Sequence, residues 1–438
     1  MIKVVLIKFL GACREVGRSG VLIESEQTSD KFIIDYGIKM EGIDENFPEH
    51  VSGKDLKGII ITHSHIDHIG GAPIFYISGN IPLYINELTL EISDILLRDM
   101  LSISEFYMPF EKEELIKMRR NANFIYYNKR IQIGQNSYLT IYNAGHIPGS
   151  AMVLLEIDNK RILYTGDFNL IPTELVNPAE PIKEEIDFLI SECTYGATDH
   201  EPRPNVEKDF ISNVLSILNN NGKVLIPAFG VARSQEVLMI LQKYQVNFPI
   251  FFDGMARRIA RVYETFPNSN YFRDYRKMVN CFKLSHFILQ TQKFLERENV
   301  KSTIGIIIAP SGMLKGGAAR LYADYIINDP NSAIYLVSFQ LPGTPGDILL
   351  KENKYISTSK KGDVDSQKVY CKVKYFDFSS HSGKTELLKF IDSCKFKNDN
   401  KQMAIVHGDE QISIVFQKEL ENKNYNCLNP RKGDVIKI

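Results

Sequence analysis

The stretch Thr62-His63-Ser64-His65-Ile66-Asp67-His68-Ile69-Gly70-Gly71 constrains this chain more than any other. Four potential metal ligands fall within six positions, directly after the apolar run Gly58-Ile59-Ile60-Ile61. In extended backbone, side chains two apart share a face, so His63 and His65 can grip one ion together. A turn into helix after Asp67 would swing that carboxylate and His68 toward a second ion. Gly70 and Gly71 would let the backbone pass close to the metals. The alternative is a solvated polar loop beside a buried strand. A lone histidine would fit it; three histidines and an aspartate at this spacing do not.

At 438 residues the chain is long enough for two or three domains with a real core. Hydrophobic content of 44% and charged content of 24% are those of an ordinary soluble protein. A formal charge of −1 excludes nonspecific adhesion to polyanions, so any nucleic-acid surface has to be a local patch. Cys13, Cys193, Cys281, Cys371, Cys394 and Cys427 form no C-x-x-C pair. They fit reduced cytoplasmic thiols better than a disulfide framework or a thiolate zinc site. Met1 to Ile7 reads as a first strand rather than a signal peptide. No apolar run approaches the about 18 residues that span a bilayer. The expectation is a soluble, cytoplasmic protein with no membrane partner.

Residues 3–36 are β-rich and enclose a glycine-punctuated loop from Leu10 to Ser19. Asp35, at the end of the third strand, either caps a turn or braces the metal loop. Apolar runs at 136–142, 160–165, 188–191 and 403–406 deliver His146, Asp167, Glu192 and His407 at their ends. After about residue 203 the texture changes. Val206, Phe210, Val214 and Leu218 mark an amphipathic helix, and a second helix, N-capped by Ser234, runs to Tyr244. The strand–helix alternation that follows implies a mostly parallel α/β sheet. It carries no G-x-G-x-x-G and no Walker lysine, so nucleotide binding has no support. From about residue 351 the β texture returns, with Val369, Cys371, Val373 and Tyr375 alternating ahead of Ser379-Ser380-His381-Ser382-Gly383. The reading is an α/β protein in which residues 1–203 and 351–438 form one domain and 204–350 an inserted one.

The candidate ligands are His63, His65, His68, His146, His407, Asp67 and Asp167. All are nitrogen or oxygen donors, a set that suits zinc, with manganese as the competitor. Seven are too many for one tetrahedral ion and about right for two that share a carboxylate. Such a pair generates hydroxide near neutral pH and clamps an in-line displacement at phosphorus.

His63-Ser64-His65-Ile66-Asp67-His68, with His146 and Asp167, resembles the H-x-H-x-D-H signature and later ligands of the metallo-β-lactamase superfamily. A histidine at position 65, where flavodiiron relatives carry glutamate, points to hydrolysis. Glu192, His381 and His407 resemble motifs A, B and C of the β-CASP nucleases, which insert an α/β domain into the metallo-β-lactamase αββα sandwich. Within that family the chain looks like the cleavage-and-polyadenylation nuclease subunit and its archaeal relatives, with RNase J as near neighbour. The first loop departs from the family at Cys13 and Arg14, where Gly and Gln are usual, and Tyr36 replaces a common Cys. The chain starts at its first strand with no KH-type extension, so a compact stand-alone member is expected.

The resemblance implies two zinc ions: His63, His65 and His146 on one, Asp67, His68 and His407 on the other, and Asp167 bridging. A bridging hydroxide would attack phosphorus. His381, oriented by Glu192, would protonate the departing oxygen, leaving 5′-phosphate and 3′-hydroxyl ends. Asp67, Glu192 and His381 are thus the expected catalytic set. Histidine at motif C favours RNA, cleaved as an endonuclease, a 5′-to-3′ exonuclease or both, in RNA processing or decay. A homodimer or an RNA-processing complex is the assembly this allows. Arg257, Arg258 and Arg261 form the best basic patch for phosphates. Lys360 and Lys361 form a weaker one, and Ser379 and Ser380 offer hydroxyls or amides to a phosphate. The rivals are a DNA nuclease of the same superfamily, a metallohydrolase of small esters, and a silent scaffold subunit, which would normally lack ligands that are all present here.

Overall fold

The computed structural model describes residues 4–39, 46–103, 108–267, 270–288, 292–358 and 364–438; Lys360 and Lys361 lie outside them. Two compact units emerge. The first comprises Met1–Pro172, Val176–Asp199 and Ser380–Ile438, the second Thr173–Leu175 and His200–Ser379.

The first unit is built on two seven-stranded sheets. One runs Val435–Lys437, Val5–Gly11, Gly20–Ser25, Lys31–Tyr36, Gly58–Ile60, Leu83–Ile85, Ala122–Phe124. The other runs Asn426–Leu428, Gln402–Val406, Phe188–Glu192, Lys160–Tyr164, Ala151–Ile157, Ser137–Asn143, Ile131–Gln132. Period-two alternation assigns the faces. Phe32 and Ile34, with Phe188 and Ile190 and with Ala404 and Val406, fill the core between the sheets. Their neighbours turn outward. Ile33 packs with Leu90, Leu97 and Leu115 of the helices Glu87–Ile103 and Lys112–Arg120. Leu189 and Ile405 pack with Leu387, Phe390, Phe416 and Leu420 of Lys384–Ser393 and Glu410–Asn422. Strands apolar on both faces therefore require helices on both outsides, which is the αββα sandwich.

The second unit holds a six-stranded sheet in the order His286–Phe287, Ile250–Phe252, Ile306–Ala309, Val224–Pro227, Ala333–Leu336, Lys372–Tyr375. Every pairing in it is parallel. Near-continuous apolar strands such as Ile306–Ala309 are what a sheet covered on both faces demands. The amphipathic helix expected near 205 spans Arg203–Asn219 and buries Val206, Phe210, Val214 and Leu218. Ser234 is not a cap: Ala232 precedes the helix Arg233–Lys243, and the Ser234 hydroxyl donates to Phe229 O at 2.7 Å. The expected return to the flanking domain at 351 also falls elsewhere. Lys372–Tyr375 pairs with Ala333–Leu336, and Val369 and Cys371 join the second unit's core, so residues 351–379 belong with the insert. Alternation announces a strand but does not say which sheet it joins.

Phe32 is 0% exposed between the sheets, and Val415 is 51% exposed on an outer helix. Phe32→Ala should cost the first unit about 3–5 kcal/mol. It should read as a lowered urea midpoint at unchanged slope. Val415→Ala should stay within about 0.5 kcal/mol of the parent.

Candidate metal centre

The polar residues of the first unit collect just beyond the ends of its central strands. After Gly58–Ile60 the chain bends at Ser64, is extended at His65 (φ −63°, ψ 144°) and then makes a single helical turn, Ile66–Ile69. That change of backbone turns Asp67 and His68 away from the line of His63 and His65. Glycine is required where the chain after Tyr36 passes beneath the turn, because a Cβ on Gly37 would lie 1.7 Å from the Asp67 carbonyl oxygen. Gly70 and Gly71 serve this same packing, against Ile66, Ile38 and Tyr36, rather than an approach to the donors.

The seven expected ligands converge, in two groups. His63 Nε2 lies 3.1 Å and His146 Nε2 3.2 Å from His65 Nδ1. Asp167 Oδ2 is 3.6 Å from His63 Nε2 and 3.7 Å from His146 Nε2. In the second group His407 Nε2 is 3.3 Å from Asp67 Oδ2, and Asp167 Oδ1 is 3.3 Å from His68 Nε2. Four donors around a tetrahedral zinc at about 2.0–2.2 Å would stand about 3.3–3.6 Å apart. The spacing fits.

Protons make the stronger test. His146 Nδ1 donates to Ser380 O at 2.9 Å and His63 Nδ1 to Thr62 Oγ1 at 3.1 Å, which leaves each Nε2 bare. Burial holds both rings well below their ordinary range, and His65 is brought down to about 4. The bare Nε2 atoms of His63 and His146 therefore both face His65 Nδ1, which has one proton at most for the two of them. Beside them the buried Asp167 carboxylate sets Oδ2 near His63 and His146, while Oδ1 meets His68 Nε2 at 3.3 Å and His407 Nδ1 at 3.4 Å. A cation is what such a cluster lacks. Buried Asp167 and half-buried Asp67 are held low by His407 and His68 and stay anionic.

The supports come from both sheets. Asp35 accepts from His68 Nδ1 at 2.7 Å and from Thr62 N and Oγ1, both at 2.8 Å, so it braces the loop rather than capping a turn. His407 Nδ1 is 3.1 Å from Thr194 Oγ1, whose hydroxyl also reaches Glu192. Thr62 and Thr194 went unread in the sequence. Their only signal was position, next to His63 and two residues after Glu192.

His381 differs from His63, His65 and His146 in its proton affinity. Its Nδ1 lies 3.0 and 3.1 Å from the two oxygens of Glu192, and its Nε2 is 3.9 Å from Asp167 Oδ2. Burial opposes charge on this ring, but Glu192 and Asp167 outweigh it and push the imidazole up to about 9. Glu192 also accepts from Phe168 N at 2.8 Å. With those partners and Thr194 its oxygens are occupied, which suits a support for His381 rather than a ligand.

The expected RNA contacts are less convergent. Arg257, Arg258 and Arg261 lie on Met255–Glu264 in the second unit. Arg257 donates to Ile288 O, Arg261 pairs with Glu264 at 2.7 Å and covers the Phe287 ring, and both Arg258 and Arg261 are exposed. Ser379 belongs to the second unit and Ser380 to the first. The backbone carbonyls of both are engaged, by Arg203 and by His146.

Comparison with known proteins agrees with this arrangement. Residues 14–228 match the metallo-beta-lactamase superfamily, 234–349 the Beta-Casp domain, and 366–430 the Zn-dependent metallo-hydrolase RNA specificity domain. RNase aCSPSF2 of Saccharolobus solfataricus is 36% identical over 99% of this chain and 85% of its own. Probable RNase MJ4 of Methanocaldococcus jannaschii is 32% identical over 99% of this chain and 100% of its own. A protein of unknown function from Enterococcus faecalis V583, known from a crystal structure, shares the fold with TM-score 0.62 at 14% identity, covering both chains completely. No helix among the described residues is long and apolar enough to cross a membrane. Full-length similarity to these relatives joins a chemistry that calls for cations, and the chain belongs to the β-CASP family of the metallo-β-lactamase superfamily, a family of metal-dependent hydrolases.

Proposed function

We propose that this protein is a zinc-dependent ribonuclease that hydrolyses RNA phosphodiester bonds to 5′-phosphate and 3′-hydroxyl ends. The observation that carries the reading is the Glu192–His381 pair, a basic imidazole set against the neutral rings of His63, His65 and His146 within the donor cluster. The RNA assignment draws support from relatives named as RNases, from the matched RNA specificity domain and from histidine at position 407.

His63, His65, His146 and Asp167 would hold one zinc, and Asp67, His68 and His407 the other, with Asp167 common to both. When bound, the pair supplies positive charge for the phosphate and an activated water. The chain's own residues do the rest. Asp35, Ser380 and Thr194 keep ring nitrogens aimed inward. His381 holds a proton on Nε2 and passes it to the 3′-oxygen as the P–O bond breaks, and Glu192 stabilises the imidazolium beforehand. Of the three proposed catalytic groups, Glu192 is 1% exposed, while the His381 and Asp67 side chains keep 19% and 31% of their surface. That suits a buried support behind two groups that meet substrate.

A single RNA labelled at its 5′ end tests the function. With zinc it should be cleaved, and a chelator should abolish cleavage. Immediate mononucleotide release marks 5′-to-3′ exonuclease action, and intermediate fragments mark endonuclease action. Turnover of matched DNA or of small esters with RNA left intact would sink the reading.

His381→Ala should keep two zinc ions per chain by elemental analysis yet lose about 10²–10⁴ in cleavage rate. Metal loss in that variant would remove the acid assignment. The pH dependence has a definite sign. An acid must be protonated to act, so rate falls as pH rises through the His381 pKa. That pKa is raised by the Glu192 carboxylate and Asp167 against burial. Glu192→Gln should therefore move the alkaline limb of the pH–rate profile toward lower pH, and an unmoved limb would assign it to another group.

A further inference from the structure

Arg14, where the family usually has glutamine, takes no part in the proposed chemistry. Its loop is bound directly to a proposed ligand: His407 N donates to Ala12 O at 2.7 Å. His407 itself has φ 54°, and Ala12 and Arg14 have φ 54° and 58°. This is a left-handed backbone that non-glycine residues keep only when their surroundings enforce it. The Arg14 guanidinium supplies such an enforcement. Nη2 donates to Asn429 O at 2.9 Å across 415 positions of sequence, and Nη1 lies 3.5 Å from Glu410 Oε1. Asn429 is buried and donates to Ser413 Oγ at 3.1 Å, which ties it to the helix that follows His407.

We propose that Arg14 is a positioning residue for the second cation position. It locks the first loop onto the chain on both sides of the helix Glu410–Asn422, and so holds His407 between Ala12 and Thr194 with Nε2 toward Asp67. The fork geometry matters, because one guanidinium reaches a carbonyl and a carboxylate together, whereas a glutamine amide is shorter and uncharged. The exposed Glu410 pair adds little by itself, so the Asn429 carbonyl carries the contact.

The inference rests on reading His407 as a ligand. Metal-free protein titrated with Zn²⁺ by calorimetry, with circular dichroism and melting temperature in parallel, separates the two. Arg14→Ala should leave the first equivalent within about twofold and weaken the second about 10–100-fold, and Arg14→Gln should fall between Arg14→Ala and the parent. His407→Ala should lose the second equivalent. If His407→Ala keeps it, the ligand reading fails and this proposal with it. If His407→Ala loses it while the Arg14 variants bind as the parent does, only this proposal fails. Both equivalents weakening together with a lower melting temperature would make Arg14 a general stabiliser and overturn it as well. If Arg14→Ala does not fold, Arg14→Gln carries the test.

Discussion

Unprotonated imidazole nitrogens crowded against carboxylates are the interaction around which the first unit is built. Without a cation, His63 and His146 set bare Nε2 atoms 3.1–3.2 Å from the same His65 Nδ1, with the buried Asp167 carboxylate beside them. Left to itself that arrangement is electrostatically unfavourable, and the sandwich must hold it in place. The two sheets do so through their cores. Ile34 and Ile60 belong to one sheet and Tyr164, Ile190 and Val406 to the other, all buried in the layer between them. The residues that follow these strands are therefore fixed by packing rather than by the loops that carry them. This is pre-organisation of donors by a rigid scaffold.

Hydrogen bonds on the far side of each ring complete the arrangement. Asp35 serves His68 and Thr62 together, so one buried carboxylate links two neighbouring imidazoles. His68, like His407, differs from His63, His65 and His146: burial would strip its proton, but Asp167 and Asp35 raise it well above its ordinary range. A metal at its Nε2 has to displace that proton, and the carboxylate at Nδ1 makes the ring a better donor once it does.

How much of this was legible in the sequence depended on whether the signal was local. The ligands could be read because histidine and aspartate at strand ends are costly to keep there for packing alone, and because H-x-H-x-D-H fits an extended segment that turns into helix. The two-layer core was legible in period two, as in Phe32-Ile33-Ile34. The end of the insert was not. Val369 to Tyr375 alternates correctly, but pairing with Ala333–Leu336 is a non-local fact. Ser234 failed as a cap because the helix begins one residue earlier, behind an Ala232 with positive φ. Arg257 and Arg261 also have partners within the fold, Ile288 O and Glu264, of which only the second is close in sequence.

His146 and His381 show how one site holds both bare and protonated imidazole. Their rings lie 4.5 Å apart and share burial and the field of Asp167. What differs is the group at Nδ1. His146 donates to a neutral carbonyl, that of Ser380, which fixes its tautomer and favours charge too little to outweigh burial and the neighbouring His381 and His65. His381, the next residue along, meets both oxygens of Glu192, and an adjacent anion favours imidazolium. The turn Ser380-His381 thus fixes one ring as a donor with its backbone and offers the other as an acid with its side chain. A glutamate behind His146, or a carbonyl behind His381, would exchange those roles at constant geometry. The division of labour therefore lies in the choice of acceptor and not in the placement of the rings.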